Sequence, residues 1–243
     1  MGKLIKIILL FLLSLPGLAQ KTAGTINYTV TKDWIKFFQN NKYLTNEEKS
    51  RASLTWKNDP HSTQKMQLRF NAQGSHYGKD QDERGSSWQK VDYEVWRDFT
   101  KNTVKETQLI AGKVYQVEDS LYTYPWKIKS EIKEVAGYLC MLATTFDPQR
   151  NVEIQAWFTT DIPVGVGPDD FLGLPGAILE VDVDNGTIVF QATKVSLDPN
   201  QSLPPLPKKT KGKIIRRTDY LAALDKYIKD SEKLREAPWG LRY

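Results

Sequence analysis

Apolar and polar residues alternate along much of the chain, and this alternation predicts β-strands with one buried and one solvated face. The clearest case is residues 179–192, where two alternating runs flank Asn185 and Gly186. Because Asn-Gly accepts the positive φ angles of a tight turn, this segment is predicted to form a β-hairpin. The same alternation predicts four earlier strands, at residues 25–30, 65–70, 91–95 and 152–158.

Helical periodicity is confined to short parts of the sequence. Residues 219–235 carry apolar side chains at helical spacing, which predicts an amphipathic C-terminal helix with Thr218 as its N-cap. A short helix is also predicted to start near Thr45. Since strands and helices do not alternate in the βαβ manner, a parallel doubly wound sheet is disfavoured. We therefore expect a mainly β fold: an antiparallel curved sheet or a partly open barrel or sandwich, with the C-terminal helix packed on it or beside it.

The N-terminal residues have the order of a secretory signal peptide. Lys3 and Lys6 precede the apolar run 7–13, and Gly17 and Ala19 supply the small residues of a cleavage site. The run is too short for a membrane-spanning helix, which needs about 20 apolar residues. We expect an exported protein, located in the periplasm, associated with the outer membrane or extracellular, without a transmembrane helix after cleavage.

Composition and charge exclude several classes of protein. The chain has 243 residues, 40% hydrophobic and 26% charged, which is typical of globular rather than disordered proteins. Loss of the signal peptide lowers the net charge from +5 to about +3, so nucleic-acid binding is not expected. The expected regions are a signal peptide at 1–19, a β-rich domain at 20–202, and a Pro-rich linker, basic stretch and packed helix at 203–243.

One motif is recognisable. Gly173-Leu174-Pro175-Gly176-Ala177-Ile178 resembles the sequence that names the GLPGLI family, secreted proteins typical of Bacteroidota. Segments 137–143, 156–168 and 24–28 resemble other parts of that family. Ala177 departs from the pattern, because the family name has leucine there. The resemblance implies export and a β-rich domain, and it implies no particular activity.

The motif and its surroundings supply the candidate site residues. Glycine permits positive φ or close backbone approach, and proline fixes φ and removes a donor, so the segment is predicted to shape the backbone. Two interpretations stay open: a loop needed for folding, with Leu174 pointing inward, or the lip of a ligand groove. The candidate residues of this binding or structural motif are Gly167, Pro168, Gly173, Leu174, Pro175, Gly176, Trp157, Tyr138 and Cys140.

The sequence contains no catalytic signature. There is no Gly-x-Ser-x-Gly motif, neither His61 nor His76 lies near the lone Cys140, and the acidic residues around Asp182 fail the EF-hand spacing. No cofactor or metal is expected. These observations favour a non-catalytic binding module for an apolar ligand or a partner protein of the envelope. The alternatives are an envelope hydrolase whose carboxylates converge only in the fold, and a purely structural interaction module.

Two further features allow more than one interpretation. Cations concentrate in residues 208–217, which predicts either a solvated sheet edge or contact with an anionic membrane surface. Aromatic residues make up 11% of the chain. They are expected either to pack in the core or to line an apolar groove.

Overall fold

Twelve strands of the described chain form one open sheet. The computed structural model describes residues 22–42, 44–80, 93–206 and 212–236. In chain order the strands are β1 (Gly24–Asp33), β2 (His61–Asn71), β3 (Gly74–Lys79), β4 (Val95–Asp98), β5 (Thr103–Ile110), β6 (Lys113–Ser120), β7 (Lys127–Val135), β8 (Tyr138–Asp147), β9 (Val152–Thr159), β10 (Ala177–Val183), β11 (Ile188–Leu197) and β12 (Lys213–Ile215). The helices are α1 (Trp34–Asn40), α2 (Asn46–Thr55) and α3 (Arg217–Leu234). The fold is mainly β with a C-terminal helix, as predicted.

The strand order is β12-β6-β5-β4-β3-β2-β1-β11-β10-β9-β8-β7. Strands β1 to β6 run as one meander and β7 to β11 as a second, and the two join where β11 pairs antiparallel with β1. The short strand β12 differs from the antiparallel expectation, because it pairs parallel with β6. Although β7 follows β6 in the chain, it lies at the opposite end of the sheet. Residues 121–126 therefore run from one end of the sheet to the other, and we call them the crossing segment.

Two segments cover the buried side of the sheet. One is the crossing segment, and the other is residues 160–176 between β9 and β10, which we call the motif segment. Phe171 of the motif segment packs 5.6 Å, centroid to centroid, from both Tyr124 and Phe190. The Trp126 indole N–H donates to the Leu172 carbonyl at 2.9 Å. The two segments thus pack on each other and on the sheet, forming one apolar core.

Most of the local predictions are confirmed. The hairpin at 179–192 is formed by β10 and β11, and its turn residues Asp184, Asn185 and Gly186 all have positive φ. The predicted strands at 25–30, 65–70 and 152–158 lie within β1, β2 and β9. The predicted strand at 91–95 is not confirmed: residues 91 and 92 lie outside the described residues, Tyr93 and Glu94 precede β4, and only Val95 lies in a strand.

Helix α2 is confirmed and α1 was not predicted. Thr45 caps α2 with a complete capping box, in which its side chain accepts from the Glu48 backbone N–H and the Glu48 carboxylate accepts from the Thr45 N–H. Helix α1 follows directly from β1 and has only seven residues, too few for a clear helical period. It is held by packing, because Trp34 stacks on Trp56 at 5.0 Å.

Helix α3 packs on the face of β5 and β6. Its buried side chains Tyr220 and Leu224 form a small separate core with Ile110 and Val117. The predicted N-cap Thr218 is wrong, since the N-cap is Arg216, which makes no side-chain capping bond. The reason is tertiary: the Asp119 carboxylate of β6 accepts from the Arg217 backbone N–H at 3.0 Å and replaces a local cap.

The basic stretch is only partly described. Residues 207–211 lie outside the described part of the chain, and Lys213 is exposed on the edge strand β12. Arg217 is not a freely solvated cation, because its guanidinium lies 3.7 Å from the buried carboxylate of Glu106. Within the described ranges, no helix combines the length and apolarity needed to cross a membrane.

Candidate functional site

The motif segment is built into the core. Its backbone is tied to the start of β10, because the Ala177 N–H donates to the Ile162 carbonyl at 3.0 Å and the Ile178 N–H donates to the Val166 carbonyl at 2.8 Å. Leu174 points inward as expected and is 3% exposed. The buried members of the segment are Ile162, Val166, Gly167, Pro168, Asp169, Asp170, Phe171, Leu172, Leu174 and Gly176.

The glycines of the segment are required by close approach and by backbone conformation. A Cβ on Gly176 would collide with the backbone carbonyl of Thr159, and one on Gly167 would lie 2.6 Å from the Phe171 carbonyl. Gly173 has φ +97° and faces Thr123 of the crossing segment. The unusual backbone therefore lets the motif segment pack against β9 and the crossing segment.

The other candidate residues lie in the sheet rather than in the motif segment. Cys140 on β8 is fully buried, and burial raises the pKa of its thiol to about 11, so the thiol is unreactive at neutral pH. Tyr138 and Trp157 are partly buried. The Lys133 ammonium lies 4.5 Å from the Trp157 ring centroid and 2.6 Å from the Glu180 carboxylate.

Sequence reasoning missed a buried ion cluster formed by Arg97, Glu106, Tyr122, Asp170 and Arg217. The Tyr122 hydroxyl lies 3.0 Å from the Asp170 carboxylate and 3.4 Å from that of Glu106. The Arg217 guanidinium stacks 3.0 Å from the Tyr122 ring centroid and lies 3.7 Å from Glu106. The cluster thereby joins β4, β5, the crossing segment, the motif segment and α3.

Burial sets the protonation of the cluster. It raises the pKa of Tyr122 well above its usual value, and the neighbouring carboxylate of Asp170 acts in the same direction. The pKa of Tyr124 is raised for the same reasons. Both phenols stay protonated at neutral pH, so both can donate to Asp170. Arg97 is also buried, which lowers the pKa of its guanidinium, and it donates to the Asp169 carbonyl.

The cluster has two buried carboxylates, and a small cavity adjoins one of them, that of Asp170. The cavity beside Arg97, Tyr122 and Asp170 measures about 10 Å³, which is the size of one water molecule. The arrangement therefore holds five parts of the fold together. One sequence signal could have revealed it: Glu106 shares the alternation phase of the buried residues Val104 and Ile110.

An open cleft of about 1160 Å³ lies beside β4 and β5. Leu203, Pro204 and Leu206 line it on one side and Ile214 on another, with charged side chains between them. Trp96 is the one aromatic side chain among the described residues that line it. The described residues contain no group of three potential ligands that could hold a metal ion.

The buried side of the sheet is uncovered at its β7 end. Ile128 of β7 lies beside Ala143, and Ile132 lies beside Met141 of β8, so their side chains continue the side that is buried elsewhere. Ile128 is nevertheless 52% exposed and Ile132 62%. We call Ile128, Ile132 and the equally exposed Leu139 the edge patch.

Comparisons with known proteins give the fold and no activity. A family profile described as "Protein of unknown function (Porph_ging)" matches residues 147–180, a short region that includes the motif and fits the GLPGLI resemblance loosely. A comparison with curated proteins gives no match. Two solved structures of PNGF-II are similar over 83% of this chain, at 16% identity with a TM-score of 0.50 and at 18% identity with a TM-score of 0.49. This chain covers about a third of the length of PNGF-II, so the first of these likenesses concerns the fold alone.

Proposed function

We propose that this chain is an exported, non-catalytic binding module of the cell envelope, and that its partner is a protein bound at the edge patch. The observation that carries the proposal is the uncovered end of the sheet. There, the apolar side chains Ile128, Ile132 and Leu139 are each more than half exposed. Exposed apolar side chains grouped on one surface are typical of interaction sites.

A protein partner fits this surface better than a small apolar ligand. The aromatic side chains of Tyr124, Trp126 and Phe171 pack in the core instead of lining a groove. The edge patch lies on the two paired strands β7 and β8, whereas small-molecule sites are concave pockets. The hydrolase alternative gains no support from the ion cluster, because the cavity beside Asp170 is about the size of one water molecule.

Export is part of the proposal and rests on the pattern that ends at Ala19. We expect mass spectrometry of the protein from its native host to find Gln20, or a residue within one or two of it, as the N-terminus. A mature pool that retains Met1 would contradict export by this route.

The binding site can be tested by photo-crosslinking in the native host. A photoreactive amino acid in place of Ile132 should give one discrete adduct with a second protein. The matched control is position 54, because Leu54 of α2 is 73% exposed but lies away from β7. Position 54 should give no such adduct.

Three outcomes would contradict the proposal. These are the absence of an adduct at position 132, equal adducts at positions 132 and 54, and an adduct with lipid only. The last result would favour the apolar-ligand alternative. Circular dichroism of each purified variant establishes that the sheet is intact.

A further inference from the structure

Within the described residues, strand β7 is an edge strand that pairs on one side only. Among the described strands it pairs only with β8, and eight of its nine residues are exposed or partly exposed. An edge strand presents unpaired N–H and C=O groups in a row. An extended peptide can hydrogen-bond to such a row and add a strand to the sheet.

Charged side chains are distributed unevenly along β7. Lys127 and Lys129 are exposed in the first half of β7, and no ion pair involves either of them within the described ranges. Lys133, in the second half of β7, forms an ion pair with Glu180 and a cation–π contact with Trp157. Free positive charge is therefore concentrated at the start of the strand, next to Ile128 of the edge patch, whereas the exposed acidic residues Glu131 and Glu134 lie farther along it.

We propose that β7 binds an extended segment of a partner protein as an added strand, with acidic residues opposite Lys127 and Lys129 and apolar residues over the edge patch. This inference rests on the proposed function and specifies its partner. Opposite charges across neighbouring strands are favourable, and like charges are unfavourable. The added strand would also cover Ile128 and Ile132, which the crossing and motif segments leave exposed.

Synthetic nonapeptides test the inference with purified protein. In one peptide, Asp alternates with Val over the residues that would face Lys127 and Lys129, and Ser alternates with Val over the remainder, which avoids a like charge opposite Glu131. In the second peptide, Lys replaces Asp. Fluorescence anisotropy should show that the Asp peptide binds about tenfold more tightly, since two cross-strand charge pairs contribute about 1.4 kcal/mol. The double variant K127E/K129E should reverse the preference. The control K213E, on the other edge strand β12, should leave the preference unchanged.

A third peptide separates strand addition from charge attraction alone. It has the Asp–Val sequence with methyl groups on alternate backbone nitrogens, which removes the donors that a new strand needs. We expect its binding to be lost. Equal binding of the methylated peptide, or a preference that K127E/K129E does not change, would overturn the inference.

The inference and the proposed function can fail separately. A protein adduct at position 132 together with no peptide binding would overturn strand addition and leave the binding module in place. Light scattering measures whether the protein forms a dimer, and so tests whether a second copy of the chain occupies the edge strand. A dimer that Ile132→Asp dissociates would also overturn the inference, because the segment bound would then be β7 itself.

Discussion

At the scale of single residues, the motif glycines show what a sequence can and cannot indicate. The composition of residues 173–176 predicts a constrained backbone because glycine and proline have special φ requirements. The sequence could not indicate that the constraint at Gly176 is the carbonyl of Thr159. That carbonyl approaches only because β9 and β10 pair, with Ala177 beside Thr159.

Gly176→Val should destabilise the fold. A side chain at this position would collide with the Thr159 carbonyl, and such overpacking costs about 1–3 kcal/mol. Thermal unfolding should show a lower melting temperature than for the parent chain. The control Thr160→Val introduces the same side chain at an exposed neighbour and should leave the melting temperature unchanged. A Gly176→Val protein that melts normally but no longer crosslinks at position 132 would assign the motif to binding instead.

His76 should make stability depend on pH. Burial lowers its pKa to about 4, and the cations of Arg69 and Arg97 act in the same direction, while Glu94 lies 3.9 Å away. Between about pH 6.5 and pH 4, the side chain of His76 is therefore protonated in the unfolded chain but neutral in the folded chain. The free energy of unfolding should fall by about 3 kcal/mol across that window as the pH is lowered.

Urea unfolding at several pH values measures this dependence. His76→Gln should flatten it. His61→Gln should not, because the His61 side chain is 54% exposed. If the free energy of unfolding changes with pH equally in the parent chain and in His76→Gln, His76 is not the source of the pH dependence.

At the scale of elements, local patterns predicted local structure. Alternation identified β1, β2 and β9, because each has one side more buried than the other. It also identified the β10–β11 hairpin, although β10 is buried on both sides over most of its length. The ion cluster was missed because its residues come from five separate segments between Arg97 and Arg217, and only the fold joins them. The predicted N-cap of α3 was wrong for a similar reason, since the first helical N–H, that of Arg217, donates to Asp119 of β6.

Leu224 should be essential for the packing of α3. It is fully buried against β5 and β6, and truncating such a side chain typically costs about 2–5 kcal/mol. Leu224→Asp should therefore lower the melting temperature of the whole domain in one cooperative transition. Ala222→Asp, on the exposed side of the same helix, is the control. If Leu224→Asp leaves unfolding unaltered but weakens binding to anionic vesicles, α3 is a membrane helix instead.

Arg217 should couple α3 to the rest of the core. Its removal would take away one of the two cations, Arg217 and Arg97, that interact with the fully buried Glu106, and breaking a buried ion pair costs about 3 kcal/mol. Arg217→Met should therefore destabilise the chain in urea. Adding Glu106→Gln should recover part of the loss. Arg216→Met, where the side chain is 72% exposed, should change stability by less than about 1 kcal/mol. No recovery in the double variant would argue against a direct pair.

At the scale of the whole molecule, the order of strands creates the exposed edge. The pairing of β1 with β11 joins residues 156 to 173 positions apart, and no local pattern could predict it. This pairing places β7 at the end of the strand order opposite β12. The proposed binding surface is therefore a consequence of topology, and the candidate site residues predicted from the motif do not include it.

The most direct measurement is the accessibility of position 132 in the native host. The chain's one cysteine, Cys140, is fully buried with a raised pKa, so an introduced cysteine can report alone. With a membrane-permeant maleimide, Ile132→Cys should react quickly in the purified protein and slowly in cells, where the partner covers it. Leu54→Cys should react quickly in both. Equal labelling of Ile132→Cys in cells and in isolation would contradict the proposal that a partner occupies the edge patch.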